Sequence, residues 1–280
     1  MRFKLLGLLV SLVAASGCAT AQTTRSPAQS TAAVPPVVQQ TAPPAVQVPL
    51  PHAAPLNILF VGNSLTGYND LPGLFKSLAV GAGQTPYVEV SLKFGKSIAD
   101  HLADPKFLKQ LKKPWDFIVV QDYSTTAQKD PKALLNHVFD LRAKAGAKPK
   151  LVLFETWPWA TENRHVMTKI DATYVRSAKL SNTAVLHIGD AFVQVSDKTE
   201  IGMYVDERHP TPIASYLSAL MFLKFFYRID PMTVLQTGAN QNTPSVFSGE
   251  PPAPSLFDLK TLYTPEDIAI VQAAAAKYVP

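Results

Sequence analysis

The chain has 280 residues, 47% of them hydrophobic and 17% charged, with a formal net charge of +5. That apolar share excludes a chain disordered from end to end and suffices for one main domain of roughly 180 to 200 residues. The mild positive charge is spread over segments such as Lys106 to Lys113 and Arg142 to Lys150, which read as solvated helix ends and not as a nucleic-acid-binding surface.

The N-terminus carries Arg2 and Lys4 and then the apolar stretch Leu5 to Ala15, too short for a permanent membrane span and laid out like a secretory signal. Ala15-Ser16-Gly17-Cys18 resembles a bacterial lipobox, although leucine is usual where Ala15 stands, so lipidation of Cys18 is the favoured expectation. Ala19-Thr20-Ala21 also fits an A-x-A cleavage site that would release a soluble periplasmic or secreted protein. On either route the protein is exported, and on the first it is tethered at the envelope facing the periplasm. Cys18 is the only cysteine, so no internal disulfide can form. Residues 1–21 are thus signal and lipobox. Residues 22–55, rich in Pro, Ala and Thr with almost no charge, read as a disordered tether.

From Leu56 onward, apolar runs of strand length alternate with helical patterns, which predicts βαβ units around a parallel sheet of about five strands. The strand candidates are Asn57–Gly62, Tyr87–Leu92, Asp116–Gln121, Leu151–Thr156 and Ala184–Ile188. Asp130-Pro131, Thr211-Pro212 and Thr264-Pro265 supply helix starts, and Gly146 a helix stop. The expected domain covers 56–235. Residues 236–280 comprise an irregular connection over Thr237–Pro254 and a terminal helix that packs back on the domain.

Three segments carry candidate chemistry. In Ile58-Leu59-Phe60-Val61-Gly62-Asn63-Ser64-Leu65-Thr66 a serine stands where an apolar strand breaks into a turn, above the end of the expected sheet. Gly95 follows the second strand. Asp206-Glu207-Arg208-His209-Pro210 precedes a long apolar helix. Ser64 needs a base to attack at neutral pH, and His209 is the candidate, with Asp206 close enough to orient and charge-stabilise its ring.

This order resembles the SGNH (GDSL-like) hydrolase superfamily. Gly62-Asn63-Ser64-Leu65 is similar to its first block, Lys93-Phe94-Gly95-Lys96-Ser97 to its glycine block and Asp206 to His209 to its last, and the resemblance spans about Leu56 to Tyr227. It implies a flavodoxin-like three-layer α/β/α fold, a Ser64-His209-Asp206 triad and an oxyanion hole from the N–H groups of Ser64 and Gly95. The family's third block offers an asparagine in a G-x-N-D context, whereas this chain has Val119-Val120-Gln121-Asp122-Tyr123-Ser124. Gln121 carries the same amide donor on a stem one methylene longer and is the expected third oxyanion donor.

His52, His101, His137, His165 and His187 show no metal-ligand spacing, so no metal and no cofactor are expected. Asp190 competes with Asp206 as the acid, but a turn or N-cap role is the simpler reading. Trp157, Trp159 and Tyr123 follow strands on the expected site side, where packing is the default role. Trp157 and Tyr123 are the candidates for substrate binding. The expected activity is hydrolysis of a carboxylic ester, with an acetyl or short acyl group on an envelope or environmental carbohydrate as substrate. An acyltransferase with the same triad and a non-catalytic envelope-binding lipoprotein are the rivals.

Overall fold

A computed structural model describes residues 55–234 and 256–279. The segments expected to be an export signal and a tether, Cys18 among them, and the Thr237–Pro254 segment expected to be an irregular connection lie outside the described residues.

Five short apolar runs form the sheet: β1 (Asn57–Gly62), β2 (Tyr87–Leu92), β3 (Phe117–Val120), β4 (Lys150–Phe154) and β5 (Ala184–Leu186). All neighbours pair in parallel, in the order β2-β1-β3-β4-β5. The central β3 is buried at all four residues, as a strand covered on both faces must be. The sheet stops earlier than the apolar runs suggest. Gln121, Glu155, Thr156, His187 and Ile188, expected as strand ends, have already left it.

Among the described residues the helices are α1 (Ser64–Gly67), α2 (Leu71–Gly81), α3 (Ile98–Leu102), α4 (Pro105–Gln110), α5 (Thr126–Lys129), α6 (Pro131–Ala145), α7 (His165–Ser181), α8 (Ile188–Lys198), α9 (Pro212–Tyr227), α10 (Leu256–Leu262) and α11 (Pro265–Tyr278). Their ends follow local chemistry. Asp130 accepts from the Ala133 N–H at 3.0 Å with Pro131 in the first turn of α6, and Gly146 ends that helix at φ +85°. Thr264 and Asp267 form a capping box on α11. At α9 only half of the expected signal operates: Pro212 opens the helix, while the Thr211 hydroxyl donates to the Gly202 carbonyl at 2.8 Å and caps nothing.

The two-residue period of the strands divides the core into two layers. Ile58, Phe60, Val119, Val152 and Phe154 face α2, α8, α9 and α11, with an aromatic cluster of Phe60, Phe75, Phe222 and Phe226 at its centre. Leu59, Val61, Ile118, Val120 and Leu153 face α3, α4, α6 and α7. The result is an α/β/α three-layer sandwich. Helix α9 is buried almost all round because α2 and α8 flank it and α11 covers it, with Lys224 Nζ of α9 donating to the Ala276 carbonyl at 2.6 Å.

Candidate active site

The strands point their carboxyl ends at one rim, and the loops there build the site. β1 ends at Gly62, where a Cβ would lie 2.8 Å from Gln121 Oε1 and closer still to the Thr66 hydroxyl, so only glycine fits. Asn63 then caps α1: its Oδ1 accepts from Leu65 N–H at 3.1 Å, and its Nδ2 donates to the carbonyls of Lys96 (3.0 Å) and Asp122 (3.2 Å). Asn63 thereby joins the first, glycine and third segments. Ser64 follows as the first residue of the helical turn.

Gly95 sits at φ +71°, the left-handed region that favours glycine, in the loop after β2. That loop is fixed by a capping box of Ser97 and Asp100 and by Asp122 Oδ1, which accepts from Ile98 N–H at 2.9 Å. Among the described residues, the N–H groups of Ser64 and Gly95 have no hydrogen-bond partner.

The segment before α9 closes on itself through an antiparallel bridge between Tyr204 and Pro210. Inside it, Asp206 Oδ1 accepts from the N–H groups of Arg208 and His209, both at 2.8 Å, and Oδ2 lies 2.7 Å from His209 Nδ1. His209 Nε2 stands 2.9 Å from Ser64 Oγ. The ionised carboxylate can only accept, so Nδ1 carries the ring proton and Nε2 presents its lone pair to the serine hydroxyl. The hydrogen bonds from the His209 ring and N–H hold the Asp206 carboxyl well below the usual carboxylate range, so it stays ionised at any working pH. The sequence-predicted Ser64, His209 and Asp206 are thus joined in one hydrogen-bonded chain, and a crevice of about 360 Å³ opens beside Ser64 and His209 between Tyr68, Phe94, Gly95, Tyr123 and Arg208.

Two expected site residues lie elsewhere. Gln121 is buried, and its Oε1 accepts from Asn63 N–H (3.0 Å) and Thr66 Oγ1 (2.9 Å) while its Nε2 donates to the Asp122 carbonyl. The backbone donor Asn63 N–H requires an oxygen at that position, which fixes which end of the amide faces which way. The group is spent beneath the crevice, and Gln121 supports the Ser64 turn instead of facing an oxyanion. Trp157 is also buried. Its ring stacks on Phe192 at 4.3 Å, and its Nε1 donates to the Arg208 carbonyl at 3.0 Å, so it holds the His209 segment and presents no binding face. Tyr123 does line the crevice.

The sequence reading missed Tyr68, which stacks flat on His209, and Phe94, which is 63% exposed at the crevice mouth. Phe94 was findable from its place beside Gly95; Tyr68 gave no signal. His101 is buried between Gly62 O (2.9 Å from Nε2) and Ser91 Oγ (3.0 Å from Nδ1), and burial lowers its pKa, so it is a neutral structural bridge. His137 pairs with Asp122 Oδ2 at 2.8 Å. A larger hollow of about 510 Å³ runs along β2, but its Lys93–Asp104 and Lys113–Glu89 charges are paired with one another. Its Ser91 is bound to a ring that no carboxylate supports.

No metal-ligand spacing is visible in the sequence, yet the fold collects Glu155, Asp171, His187 and Asp190 at the ends of β4 and β5. Burial pushes the Glu155 carboxyl up to about 7, and facing it raises His187 to about 9. Asp190 lies in the first turn of α8 and belongs to this cluster; its N–H donates to Glu155 Oε2, and His187 occupies the N-cap position.

No family model matches the sequence, and no curated protein matches it. Solved structures do match its fold. A DUF4886 family protein from Bacteroides uniformis aligns over 80% of this chain and 94% of its own, with a TM-score of 0.57 and 19% identity. A GDSL-like lipase candidate from Parabacteroides merdae aligns over 64% and 98% (TM-score 0.51, 16% identity). An acetyl xylan esterase from Geobacillus stearothermophilus aligns over 63% and 96% (TM-score 0.50, 15% identity). At these identities the likeness is one of fold: the chain has the α/β fold of these GDSL-like and esterase structures.

Proposed function

We propose that the protein is a serine-dependent carboxylic ester hydrolase. The observation that carries this reading is the unbroken hydrogen-bonded chain Ser64–His209–Asp206 opening into a crevice beside two unpartnered N–H groups. Ser64 Oγ attacks the ester carbonyl as His209 Nε2 takes its proton, and Asp206 stabilises the imidazolium that forms. The N–H groups of Ser64 and Gly95 receive the oxyanion. His209 returns the proton to the leaving alcohol, and water then deacylates Ser64 through the same ring. Apart from that water, these steps use the chain's own groups.

The crevice is small, open and rimmed by Tyr68, Phe94 and Tyr123, which suits a short acyl group on an alcohol that rests against aromatic faces. With the secretory N-terminus, this favours acetyl or another short acyl ester of an envelope or environmental carbohydrate. An acetyl xylan esterase among the structures of like fold supports the choice. The exported protein is tethered to the membrane by lipidated Cys18 and works in the periplasm on this reading. Openness to water favours hydrolysis over transfer to a second alcohol.

The test is turnover of p-nitrophenyl acetate by the full chain and by Ser64→Ala and His209→Ala. Both variants are expected to fold and to lose about 10⁴-fold or more in kcat. Folded wild-type protein that neither turns over the ester nor labels at Ser64 with a fluorophosphonate would overturn the reading.

A further inference from the structure

We propose a second site, a structural divalent-metal site of the Zn²⁺ class, formed by Glu155, Asp171, His187 and Asp190. Glu155 follows β4 and His187 follows β5, while α7 brings Asp171 and α8 brings Asp190. One ligating atom from each lies within 4.8 Å of all the others. Donors held at about 2.1 Å from one ion stand roughly 3 to 4 Å apart, so the spacing needs little adjustment.

The hydrogen bonding points to a missing cation. The Glu155 side chain is fully buried, yet only Oε2 is satisfied, by Asp190 N–H at 3.0 Å. Among the described residues, Glu155 Oε1, Asp171 Oδ1 and His187 Nδ1 are all buried without a well-formed hydrogen bond, although they converge on one point. Burying polar atoms unsatisfied is costly, and three in one place call for a common partner. A protonated His187 is not enough. Its Nδ1 lies 3.0 Å from Asp171, 3.5 Å from Glu155 and 4.0 Å from Asp190, and a single N–H cannot satisfy three carboxylates. One divalent ion bound by the unprotonated Nδ1 and the three oxygens satisfies all four.

The donor set selects the ion class. One imidazole nitrogen with three carboxylates suits Zn²⁺ or Mn²⁺; Ca²⁺ prefers six to eight oxygens and no nitrogen. Asp171, His187 and Asp190 are each about one third exposed, which leaves an entry path and room for water in the remaining positions. Gly189 lets α8 approach so closely, since a Cβ there would clash with the Thr156 carbonyl. The ion would pin β4, β5, α7 and α8 together beside Thr156 and Trp157.

The test is calorimetric titration of the metal-stripped full chain, carrying Cys18→Ser to remove the only thiol, with Zn²⁺, together with thermal unfolding. One ion is expected to bind, raising Tm by roughly 5 °C or more at saturation, reversed by chelator. Binding is expected to weaken at least 100-fold in His187→Ala and at least 10-fold in the milder Asp171→Asn, with far-UV circular dichroism confirming that both fold. It is expected to persist in His209→Ala, which removes the histidine–carboxylate pair of the crevice. No binding to folded protein, binding unchanged in His187→Ala, or binding lost in His209→Ala would each overturn the proposal.

Discussion

Tyr68 lies flat on the imidazole of His209, the ring centroids 4.1 Å apart and the planes 1° from parallel. A half-buried aromatic face against an imidazole does two things. It fixes the ring plane so that Nε2 points at Ser64, and in the proposed mechanism its negative π-face lies against the positive charge that develops on the ring. Both effects are greatest when His209 holds the serine proton. Replacing Tyr68 by leucine is therefore expected to lower kcat about 2- to 30-fold, while phenylalanine keeps most of the rate. Equal kcat in the leucine and tyrosine proteins would remove this role.

Gln121 offers a sharper separation of roles. If its amide oxygen supports the Ser64 turn, Gln121→Leu leaves Asn63 N–H and the Thr66 hydroxyl without their buried acceptor, at a cost of about 1 to 3 kcal/mol per stranded group. Urea unfolding should then show a clear drop in midpoint alongside any loss of rate. An oxyanion donor would behave differently, losing about 100- to 1000-fold in kcat with the midpoint unchanged. Measuring both quantities on one protein decides between the two positions.

What the sequence shows and what it hides differ physically. Ser64, Gly95, Asp206 and His209 were legible because each sits in a turn at an element's end, where the residue type itself states the geometry. Gln121 and Trp157 also lie past strand ends, but their direction is decided by distant groups, the Asn63 N–H and the Arg208 carbonyl, that no local pattern reveals. The two-layer division of the core follows directly from the alternation in β1, with Ile58 and Phe60 on one side and Leu59 and Val61 on the other. Of Glu155, Asp171, His187 and Asp190 only His187 and Asp190 stand close in sequence, three residues apart at the start of α8; Glu155 and Asp171 come from the end of β4 and from α7, so no complete ligand spacing can be read.

His137 and Asp122 give a pH dependence with a defined sign. The hydrogen bond that His137 Nδ1–H donates to Asp122 raises the folded His137 above its ordinary 6.5, with burial opposing. A group raised on folding binds its proton more tightly in the native state. Its contribution is therefore complete below about pH 6.5 and is lost as the pH climbs through the raised value. The stability difference between wild type and His137→Gln, from urea midpoints, should be largest below about pH 6.5 and shrink as the pH rises through the raised value. The titrating cluster around His187 is common to both proteins and cancels in the difference. A gap independent of pH would mean the pair adds packing alone.

Trp157 tests how the His209 segment is held. Trp157→Phe preserves the stack on Phe192 but removes the donor to the Arg208 carbonyl, one residue before His209. That half-buried carbonyl then loses its partner, and Asp206 to His209 gains freedom at the point where two 2.8 Å backbone bonds set the carboxylate against the ring. The expected result is a loss of about 1 to 3 kcal/mol in stability and a several-fold fall in kcat, with KM for an acetylated sugar little changed. A sugar-stacking tryptophan would give the reverse: a raised KM for the carbohydrate ester, an unchanged kcat, and no effect on p-nitrophenyl acetate, whose leaving group needs no platform. Because Trp157 is only 2% exposed and its ring face is already covered by Phe192, a ligand could reach it only by displacing that stack, so the first pattern is the one the structure requires.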